Sequence, residues 1–403
     1  MKKIIFIIDS LSCGGAERAL IALLNEIELS KYEIDLLYFN RENEHFRNSI
    51  PKGVNIIEPD IGMEIIFSSG YNLYKYLKNY KKWLLLFFRV FFSSCSYFNQ
   101  DNYFSRKVSD WQIYKRFIPN IEKKYDVAIA YLENTSTYFM LDKVNAKKYI
   151  SWIRTDYKGM KGNIKSDREY FKKIDKLCVL SQNMKQNLEF IFPEYFNKII
   201  IFPNIIDIDS ILEKAKEDIK DKIFEEKQII SVGSLKKVKG YNIIIKAAKI
   251  LKEKNRKYKW YILGEGKEKS NLIRDIKKLG LEENIILLGK KNNPYKYIKK
   301  SDIFVQASYR EGFSTTVFEA KILKKPIVIT DAEGMKEQIQ NNETGLIVPK
   351  GDSEKLAEAI EKLLDFPELK DKFNKNLTIF LKKYENKNNA KVKKFENLIE
   401  GKI

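Results

Sequence analysis

Short apolar runs alternate with amphipathic segments along the first half of the chain. The runs have the length of β-strands, and they stand at Ile4–Ile8, Glu33–Phe39, Val54–Ile57, Asp126–Ala130, Lys148–Ile153, Lys176–Leu180 and Lys198–Phe202. After the first run, a segment from Gly15 repeats apolar side chains at helical spacing, at Leu20, Leu23, Leu24 and Ile27. Strands and helices that alternate in this way predict a parallel sheet with helices on both faces.

A second series of the same kind follows the charged segment Pro203–Lys227. Its predicted strands are Gln228–Val232, Tyr258–Leu263, Asn284–Leu288, Asp302–Gln306, Pro326–Ile329 and Gly345–Val348. Helices are expected to begin near Lys239, Glu268, Pro294, Thr315 and Met335, and a basic amphipathic helix is expected after Asp352. Two α/β doubly wound domains in tandem account for this pattern, and ligands of such domains bind beyond the carboxyl ends of the strands.

The composition agrees with a two-domain globular protein in a reducing compartment. At 403 residues the chain is long enough for two domains of ordinary size, and its hydrophobic fraction is 44%. The three cysteines (Cys13, Cys95 and Cys178) are scattered and form no C-x-x-C pair, which argues against a zinc site or a disulfide framework. The apolar run after Met1 is too short for a signal peptide, so we expect a cytoplasmic protein. His45 is the only histidine, so a histidine base or metal ligand would have to be this residue.

Much of the basic charge lies in one aromatic stretch. The formal net charge is +20, and residues 61–125 hold eleven basic residues against four acidic ones. The part from Tyr71 to Phe104 is crowded with aromatic side chains, but its apolar run is far shorter than the ~20 residues that a membrane-spanning helix needs. We interpret it as an interfacial helix with lysines on anionic lipid headgroups; a core helix and a nucleic-acid-binding segment are the alternatives. An anionic membrane surface is therefore an expected partner, and nucleic acid is not.

Residues 308–320, which read SYREGFSTTVFEA, contain the most informative motif. Glu311 and Glu319 are separated by seven residues, and a helix is predicted to begin between them at Ser314-Thr315-Thr316. The exposed N–H groups and the positive dipole end of such a helix form an anion site. A carboxylate on each side of bound phosphates can hold neutral sugar hydroxyls by charge-assisted hydrogen bonds.

This segment resembles the Glu-x7-Glu signature of retaining GT-B glycosyltransferases, in particular glycosyltransferase family 4, the group 1 glycosyltransferases. Further segments stand in the order of that family: Gly14-Gly15-Ala16-Glu17-Arg18, Ser151-Trp152-Ile153-Arg154-Thr155-Asp156, Pro203-Asn204-Ile205-Ile206-Asp207, Ser231-Val232-Gly233-Ser234-Leu235, Lys239-Gly240, Leu263-Gly264-Glu265-Gly266 and Gly345-Leu346-Ile347-Val348-Pro349. The match is dense from about residue 228 to 350 and thinner before that.

The resemblance implies a GT-B fold, in which two doubly wound Rossmann-like domains face each other across a cleft. Residues 1–205 would form the acceptor-side domain, residues 206–380 the nucleotide-sugar-binding domain, and a helix over 381–403 would return to the first domain. The implied activity is that of a retaining hexosyltransferase, which moves a sugar from a nucleoside diphosphate sugar, expected to be a UDP-sugar, to a glycan acceptor. We expect that acceptor to be lipid-linked, in bacterial surface polysaccharide or lipopolysaccharide synthesis at the inner face of the plasma membrane.

The same resemblance assigns roles to single residues. Lys239 and Glu311 would be catalytic, because Lys239 neutralises the leaving phosphates and Glu311 stabilises positive charge near the anomeric carbon. Glu319 would accept hydrogen bonds from both ribose hydroxyls. The other residues expected to bind the nucleotide sugar are Gly14, Gly15, Arg154, Ser234, Gly264, Gly312, Phe313, Ser314 and Thr315.

Two positions depart from the pattern of that family. Ser234 stands where the family usually has an arginine, and Arg154 stands where many members have a histidine. Arg154 or Lys237 is a candidate to replace the missing cation, and Asp156 is a candidate contact for the sugar or the acceptor. Retaining enzymes of this class let the leaving phosphate take the acceptor's proton, so a chain with one histidine is compatible with the reaction.

No metal or other cofactor is expected. Asp207-Ile208-Asp209 has the D-x-D form of the metal motif of the other glycosyltransferase fold, but it lies in the segment between the predicted domains. The alternative to an enzyme is a non-catalytic GT-B binding or chaperone subunit of a glycosylation complex. The two departures favour that alternative, whereas the intact glutamates and Lys239 argue for the enzyme.

Overall fold

The computed structural model describes residues 1–12, 14–42, 44–67, 87, 110–157, 164–219 and 227–403, the side chains of 385–387 excepted. The chain divides into two compact units. The first consists of Met1–Ile206 and Ala390–Ile403, and the second consists of Asp207–Asn389. The boundaries thus fall after Ile206 and Asn389, where the sequence predicted them after residues 205 and 380.

Within the described ranges, the sheet of the first unit has seven strands: β1 (Lys2–Ser10), β2 (Tyr32–Asn40), β3 (Val54–Ile57), β4 (Ile121–Ala130), β5 (Val144–Ile153), β6 (Lys176–Val179) and β7 (Ile199–Ile201). They pair in parallel in the order β3-β2-β1-β4-β5-β6-β7. Each predicted apolar run of the first half is one of these strands. The interior strand β1 is apolar on both faces and fully buried from Ile4 to Ile8, as expected for a parallel sheet that is covered on both sides.

Helices connect these strands. The first unit contains α1 (Gly15–Glu26), α2 (Ile61–Phe67), α3 (Thr135–Lys143), α4 (Ile164–Lys172) and α5 (Gln182–Ile191). The predicted apolar face of α1 is buried at Leu20, Leu23 and Leu24. α5 is capped by Ser181, whose side chain accepts a hydrogen bond from the N–H of Met184.

A second parallel sheet organises the second unit. Its strands are β8 (Gln228–Val232), β9 (Lys259–Leu263), β10 (Ile285–Gly289), β11 (Ile303–Gln306), β12 (Ile327–Thr330) and β13 (Leu346–Val348). They lie in the order β10-β9-β8-β11-β12-β13. This is the strand order of a Rossmann-like sheet. The predicted α/β class with two parallel sheets is therefore confirmed.

The helices of the second unit are α6 (Ile208–Lys214), α7 (Tyr241–Glu253), α8 (Lys269–Lys278), α9 (Tyr295–Lys300), α10 (Thr315–Ile322), α11 (Glu333–Lys336), α12 (Ser353–Asp365) and α13 (Pro367–Glu400), of which α13 ends in the first unit. α12 buries Leu356, Ile360 and Leu363 in the core of the second unit, as its amphipathic pattern predicts. α7 contributes Ile244, Ala248 and its other apolar residues to the same core.

The predicted interfacial stretch from Tyr71 to Phe104 lies outside the described residues, except for Phe87. Its role therefore stays a prediction. Cys13 and Cys95 also lie outside the described ranges, and Cys178 is a buried free thiol. None of the helices in the described part of the chain combines the length and the apolar character that crossing a bilayer requires.

Candidate active site

The strand order of the second unit creates a topological switch point between β8 and β11. The two strands are neighbours, but β9 and β10 extend the sheet on one side, and β12 and β13 extend it on the other. The chain therefore leaves β8 and β11 in opposite directions, and ligands of such sheets bind in the crevice between the two loops. Residues 233–240 form the loop after β8, and residues 307–314 form the loop after β11.

Lys239 and Glu311 join these two loops. The Lys239 ammonium forms an ion pair with Oε2 of Glu311. The two side chains are 20% and 15% exposed, so the pair is largely shielded from water but can still be reached by a ligand. A cation next to a carboxylate can stabilise a leaving anion and a developing positive charge at the same place. The two residues predicted to be catalytic thus lie in direct contact.

The conformation of Gly240 makes the contact between Lys239 and Glu311 possible. Gly240 follows the turn that carries Lys239 and has a left-handed φ of 68°. A Cβ atom at Gly240 would lie 1.9 Å from the carbonyl oxygen of Ala307, so only glycine lets the two loops approach. The N–H of Tyr309 also donates to the carbonyl of Val238 at 2.8 Å, which joins the loops at a second point.

Ser234 and Gly264 lie just beyond the carboxyl ends of β8 and β9. A Cβ atom at Gly264 would lie 1.9 Å from the carbonyl oxygen of Gly233. One at Gly266 would lie 2.3 Å from the carbonyl oxygen of Leu235. The loops after β8 and β9 therefore pack backbone against backbone, and Ser234 contributes only a small half-buried hydroxyl to them.

The residues after Glu311 form the start of α10. Ser314 caps the helix, because its side chain accepts a hydrogen bond from the N–H of Val317. The N–H of Phe318 donates to the Ser314 carbonyl at 3.1 Å. The N–H groups of Thr315 and Thr316, in the first turn before Val317, are those that a helix offers to an anion. Phe313 is half-buried, and its ring centroid lies 6.0 Å from that of Phe318.

The Glu311 loop is also held by α11. The N–H of Gly334 donates to the Glu311 carbonyl at 3.0 Å, and a Cβ atom at Gly334 would lie 2.1 Å from the carbonyl oxygen of Gly312. Glu319 lies further along α10 and is only 2% exposed. In such a shielded position a carboxylate forms stronger hydrogen bonds to hydroxyl groups than it does in water.

Two polar residues of this site were missed by the sequence reasoning. Tyr241, at the start of α7, donates to the Gly233 carbonyl at 2.9 Å, and burial raises the pKa of its phenol. Gln306, buried at the end of β11, donates to Ser308 Oγ at 2.9 Å and accepts from Thr316 Oγ1 at 3.4 Å. These bonds order the loops on either side of the switch point. The position of a polar residue at the end of an apolar strand is the sequence signal that could have identified Gln306.

In the first unit the corresponding switch point lies between β1 and β4. Gly14 and Gly15 follow β1 and begin α1. Glu17 orders this loop by accepting hydrogen bonds from the Ser10 and Ser12 hydroxyls at 3.0 and 3.1 Å. Burial raises the pKa of Glu17. A Cβ atom at Gly14 would lie 2.2 Å from the Glu17 carboxylate, so a side chain there would displace Glu17 from its hydrogen bonds to the two serines.

Arg154 lies where β5 ends, beside the carboxyl end of β4. Its guanidinium lies 4.1 Å from the centroid of the Tyr131 ring and donates to the Tyr131 carbonyl at 3.0 Å. It also donates to Asn204 Oδ1 at 2.7 Å. These contacts hold the arginine within the first unit. Asp156, two residues further on, accepts a hydrogen bond from Asn187 Nδ2 at 3.3 Å.

Asn134 and Glu133 are further residues that the sequence reasoning missed. Asn134 has φ 64° and ψ −119° immediately before α3, a conformation that costs free energy in any residue except glycine. The carboxylate of Glu133 accepts a hydrogen bond from the Arg154 N–H at 2.9 Å. Strained residues of this kind concentrate at functional sites. The sequence around Asn134 carries no signal of this conformation.

The D-x-D segment has a structural role at its first residue. Asp207 caps α6, since its side chain accepts a hydrogen bond from the N–H of Ser210 at 2.8 Å. Across the described residues, no three or more His, Cys, Asp and Glu side chains are grouped so as to hold a metal ion.

Comparison with known sequences gives a family match, a relative that aligns over nearly its full length, and relatives that align over part of the chain. Residues 209–378 match the family model of glycosyl transferases group 1. A relative from Campylobacter jejuni, named N-acetylgalactosamine-N,N'-diacetylbacillosaminyl-diphospho-undecaprenol 4-alpha-N-acetylgalactosaminyltransferase, is 27% identical over 402 residues, which cover 99% of this chain and 97% of the relative. An uncharacterized glycosyltransferase from Methanocaldococcus jannaschii is 32% identical over 231 residues, which cover 53% of this chain and 57% of that protein.

Solved structures of glycosyltransferases share the fold. A glycosyltransferase from Rickettsia africae matches with a TM-score of 0.70 and 18% identity over 99% of this chain and 98% of that one. Anabaena HepE, in complex with UDP and glucose, matches with a TM-score of 0.68 and 15% identity over the whole of both chains. At these identities the likeness shows the fold alone, and it confirms the predicted fold class.

Proposed function

Because residues 209–378 match the group 1 glycosyltransferases, we propose that the chain is a member of that family and transfers a sugar from a UDP-sugar to a lipid-linked glycan, with retention of the anomeric configuration. The observation that carries this proposal is the Lys239–Glu311 ion pair at the switch point between β8 and β11. The pair combines the two charges that the departure of a diphosphate from a sugar requires.

The donor would bind with its diphosphate against Lys239 and the first N–H groups of α10. A phosphate beside Lys239 competes with Glu311 for the ammonium, and it thereby frees the Glu311 carboxylate to face the sugar. Glu319, shielded from water on the same helix, would accept hydrogen bonds from the ribose hydroxyls. The Anabaena HepE complex with UDP supports the choice of nucleotide.

In the proposed reaction the bond between the anomeric carbon and the β-phosphate oxygen breaks. The acceptor hydroxyl oxygen bonds to the same face of that carbon, and its proton passes to the departing phosphate. Lys239 stabilises the negative charge of the leaving group, and Glu311 stabilises the positive charge near the anomeric carbon. A single electrostatic group of this kind contributes about 10²–10³-fold to a rate. The proposed reaction uses no metal ion.

The acceptor class rests on the Campylobacter jejuni relative. Its name describes transfer of N-acetylgalactosamine to a glycan on diphospho-undecaprenol, and it matches almost the full length of this chain. On this basis we propose that the activity belongs to bacterial surface polysaccharide or lipopolysaccharide synthesis at the inner face of the plasma membrane. The match to the glycosyl transferases group 1 model supports the transfer of a sugar, and the identity of the acceptor is left to experiment.

The test is a transfer assay with a panel of UDP-sugars that includes UDP-N-acetylgalactosamine. The acceptor is a polyprenyl-diphosphate-linked disaccharide, and mass spectrometry detects the addition of one sugar. We expect a product with one UDP-sugar, and we expect NMR of its anomeric proton to show the configuration of the donor. An inverted linkage would contradict the retaining mechanism, and transfer from GDP-sugars alone would contradict the choice of nucleotide.

A further inference from the structure

A groove on the second unit carries a buried lysine that the proposed reaction does not use. The groove has a volume of about 380 Å³ and lies between α10, the segment after α11, and α13. Lys321, on α10, lies in its wall and is only 4% exposed. This volume is within the range of sites that hold a small organic molecule.

The Lys321 ammonium has neutral neighbours. It donates to the carbonyl of Gln338 at 2.5 Å and lies 3.7 Å from the centroid of the Phe380 ring. Within the described part of the chain, no carboxylate lies at ion-pair distance from it. A buried ammonium without a counter-ion carries an uncompensated desolvation cost, and an anion that enters the groove would remove part of it.

The rest of the groove is rich in hydrogen-bonding groups. Gln338, Gln340, Thr344, Asn376 and Phe380 line it. The Asn376 amide already donates to Glu343, whereas Oε1 of Gln338 is buried with no hydrogen-bond partner among the described residues. Side-chain amides present donors and acceptors together, so they suit a ligand with several hydroxyl groups.

The other charges of the groove are balanced or peripheral. Lys383, Glu337 and Glu343 also line it. Glu343 forms an ion pair with Lys372 at 2.6 Å, so its charge is already compensated. The exposed Lys383 adds a second positive charge near the rim. Glu337 is also exposed, so the groove offers a ligand one buried cation, with one cation and one carboxylate exposed to water near it.

We propose that this groove is a second ligand site, which binds a small polyhydroxylated molecule with one anionic group, either a sugar phosphate or a sugar carboxylate. The anionic group would pair with Lys321, and the hydroxyl groups would bond to the amides around it. The site is connected to the loop of Glu311: the side-chain amide of Gln338 donates to the Gly334 carbonyl at 3.1 Å, and the Gly334 N–H donates to the Glu311 carbonyl.

The test is calorimetric titration of the full chain with glucose 1-phosphate and with glucuronate, with glucose as the neutral probe. We expect at least one anionic probe to bind saturably and glucose to bind at least tenfold more weakly. Lys321→Met should lose the binding of the anion. Lys325→Met is the matched control, because Lys325 is a half-buried lysine that also donates to a carbonyl, that of Ser301 at 2.7 Å, but it does not line the groove. It should bind as the wild type does.

Three results would overturn the proposal. They are no binding of either anionic probe, unchanged binding in Lys321→Met, and loss of binding in Lys239→Met, which would place the probe at the proposed donor site. If Lys321→Met does not fold, the wild type alone provides the test.

Burial lowers the pKa of Lys321 to about 8, so binding of an anion at pH 8.5 should take up protons, seen as a dependence of the heat on the buffer. Binding without proton uptake would then refute the assignment.

Discussion

At the scale of single residues, the proposed reaction depends on the carboxylate of Glu311. In Glu311→Gln the side-chain oxygen still accepts a hydrogen bond from Lys239, so the loop keeps its position, but the negative charge near the anomeric carbon is lost. We expect kcat to fall about 100-fold or more while the protein stays folded. The measurement is the rate of sugar transfer at saturating donor and acceptor.

Glu265→Gln is the control for that substitution. Glu265 is an exposed carboxylate in the loop after β9 and forms an ion pair with Lys269 at 2.8 Å. Exposed pairs of this kind contribute little, so transfer should be close to the wild-type rate. A Glu311→Gln variant as active as this control would remove Glu311 from the mechanism, and the proposed charge stabilisation with it.

Lys321 makes the stability of the protein depend on pH. Burial lowers the pKa of Lys321 from 10.5 to about 8, so between these values the unfolded chain holds a proton that the folded protein has lost. The contribution of this group to stability therefore rises with pH in that window. Relative to Lys321→Met, the wild type should gain up to roughly 3 kcal/mol of unfolding free energy between pH 7 and 10 in urea denaturation. If the difference in unfolding free energy between the wild type and Lys321→Met does not change with pH, Lys321 titrates as an exposed lysine does.

At the scale of elements, close backbone contacts fix the loops of the second unit. In Gly240→Ala the new Cβ would meet the Ala307 carbonyl at 1.9 Å, and the backbone would have to leave its left-handed conformation. We expect a loss of about 3 kcal/mol or more in stability, and a loss of transfer activity because the Lys239–Glu311 contact is broken. Thermal denaturation and the transfer assay measure these two effects.

Gly280→Ala separates the effect of the steric clash in Gly240→Ala from the effect of the left-handed backbone conformation, which both glycines share. Gly280 has a similar φ of 62°, but the nearest atom to a Cβ there is the Lys252 ammonium, 3.5 Å away on a flexible side chain. This variant should lose only about 1–2 kcal/mol, the usual cost of a left-handed conformation, and should keep its activity. Equal losses in the two variants would show that the approach of Gly240 to Ala307 is unimportant.

The strands and helices could be predicted from the sequence because their signal is local. Ile4–Ile8 and Ile327–Thr330 are apolar runs that a covered parallel sheet requires, and α12 repeats apolar residues at helical spacing. The motif residues followed from the resemblance to a family, and Lys239 and Glu311 proved to be in contact.

The arrangement of the loops could not be predicted in the same way. The contact of Gly240 with Ala307 joins residues that are distant in the sequence, and it depends on β8 and β11 being neighbours. The same is true of the hydrogen bond from Lys321 to Gln338, which places a lysine of α10 in the interior. From the sequence pattern of α10 alone, Lys321 would be assigned to the protein surface, because lysine side chains are almost never fully buried.

At the scale of the whole molecule, the formal net charge of +20 bears on the membrane. Each lysine or arginine near an anionic bilayer contributes ~1 kcal/mol, and the attraction is screened within about 8 Å at physiological salt. We expect the protein to sediment with phosphatidylglycerol vesicles at low salt and to be released at about 1 M salt. Phosphatidylcholine vesicles are the control. Equal binding to both lipids would contradict an electrostatic membrane contact.

The central claim is that Lys239 holds the diphosphate of the donor at the switch point of the second unit, and calorimetric titration with UDP tests it most directly. Lys239→Met should bind UDP about tenfold or more weakly than the wild type, because a charged hydrogen bond contributes about 1.5–3 kcal/mol. Lys236→Met removes an exposed lysine that directly precedes the same turn and should bind UDP as the wild type does. UDP binding of wild-type strength in Lys239→Met would contradict the account.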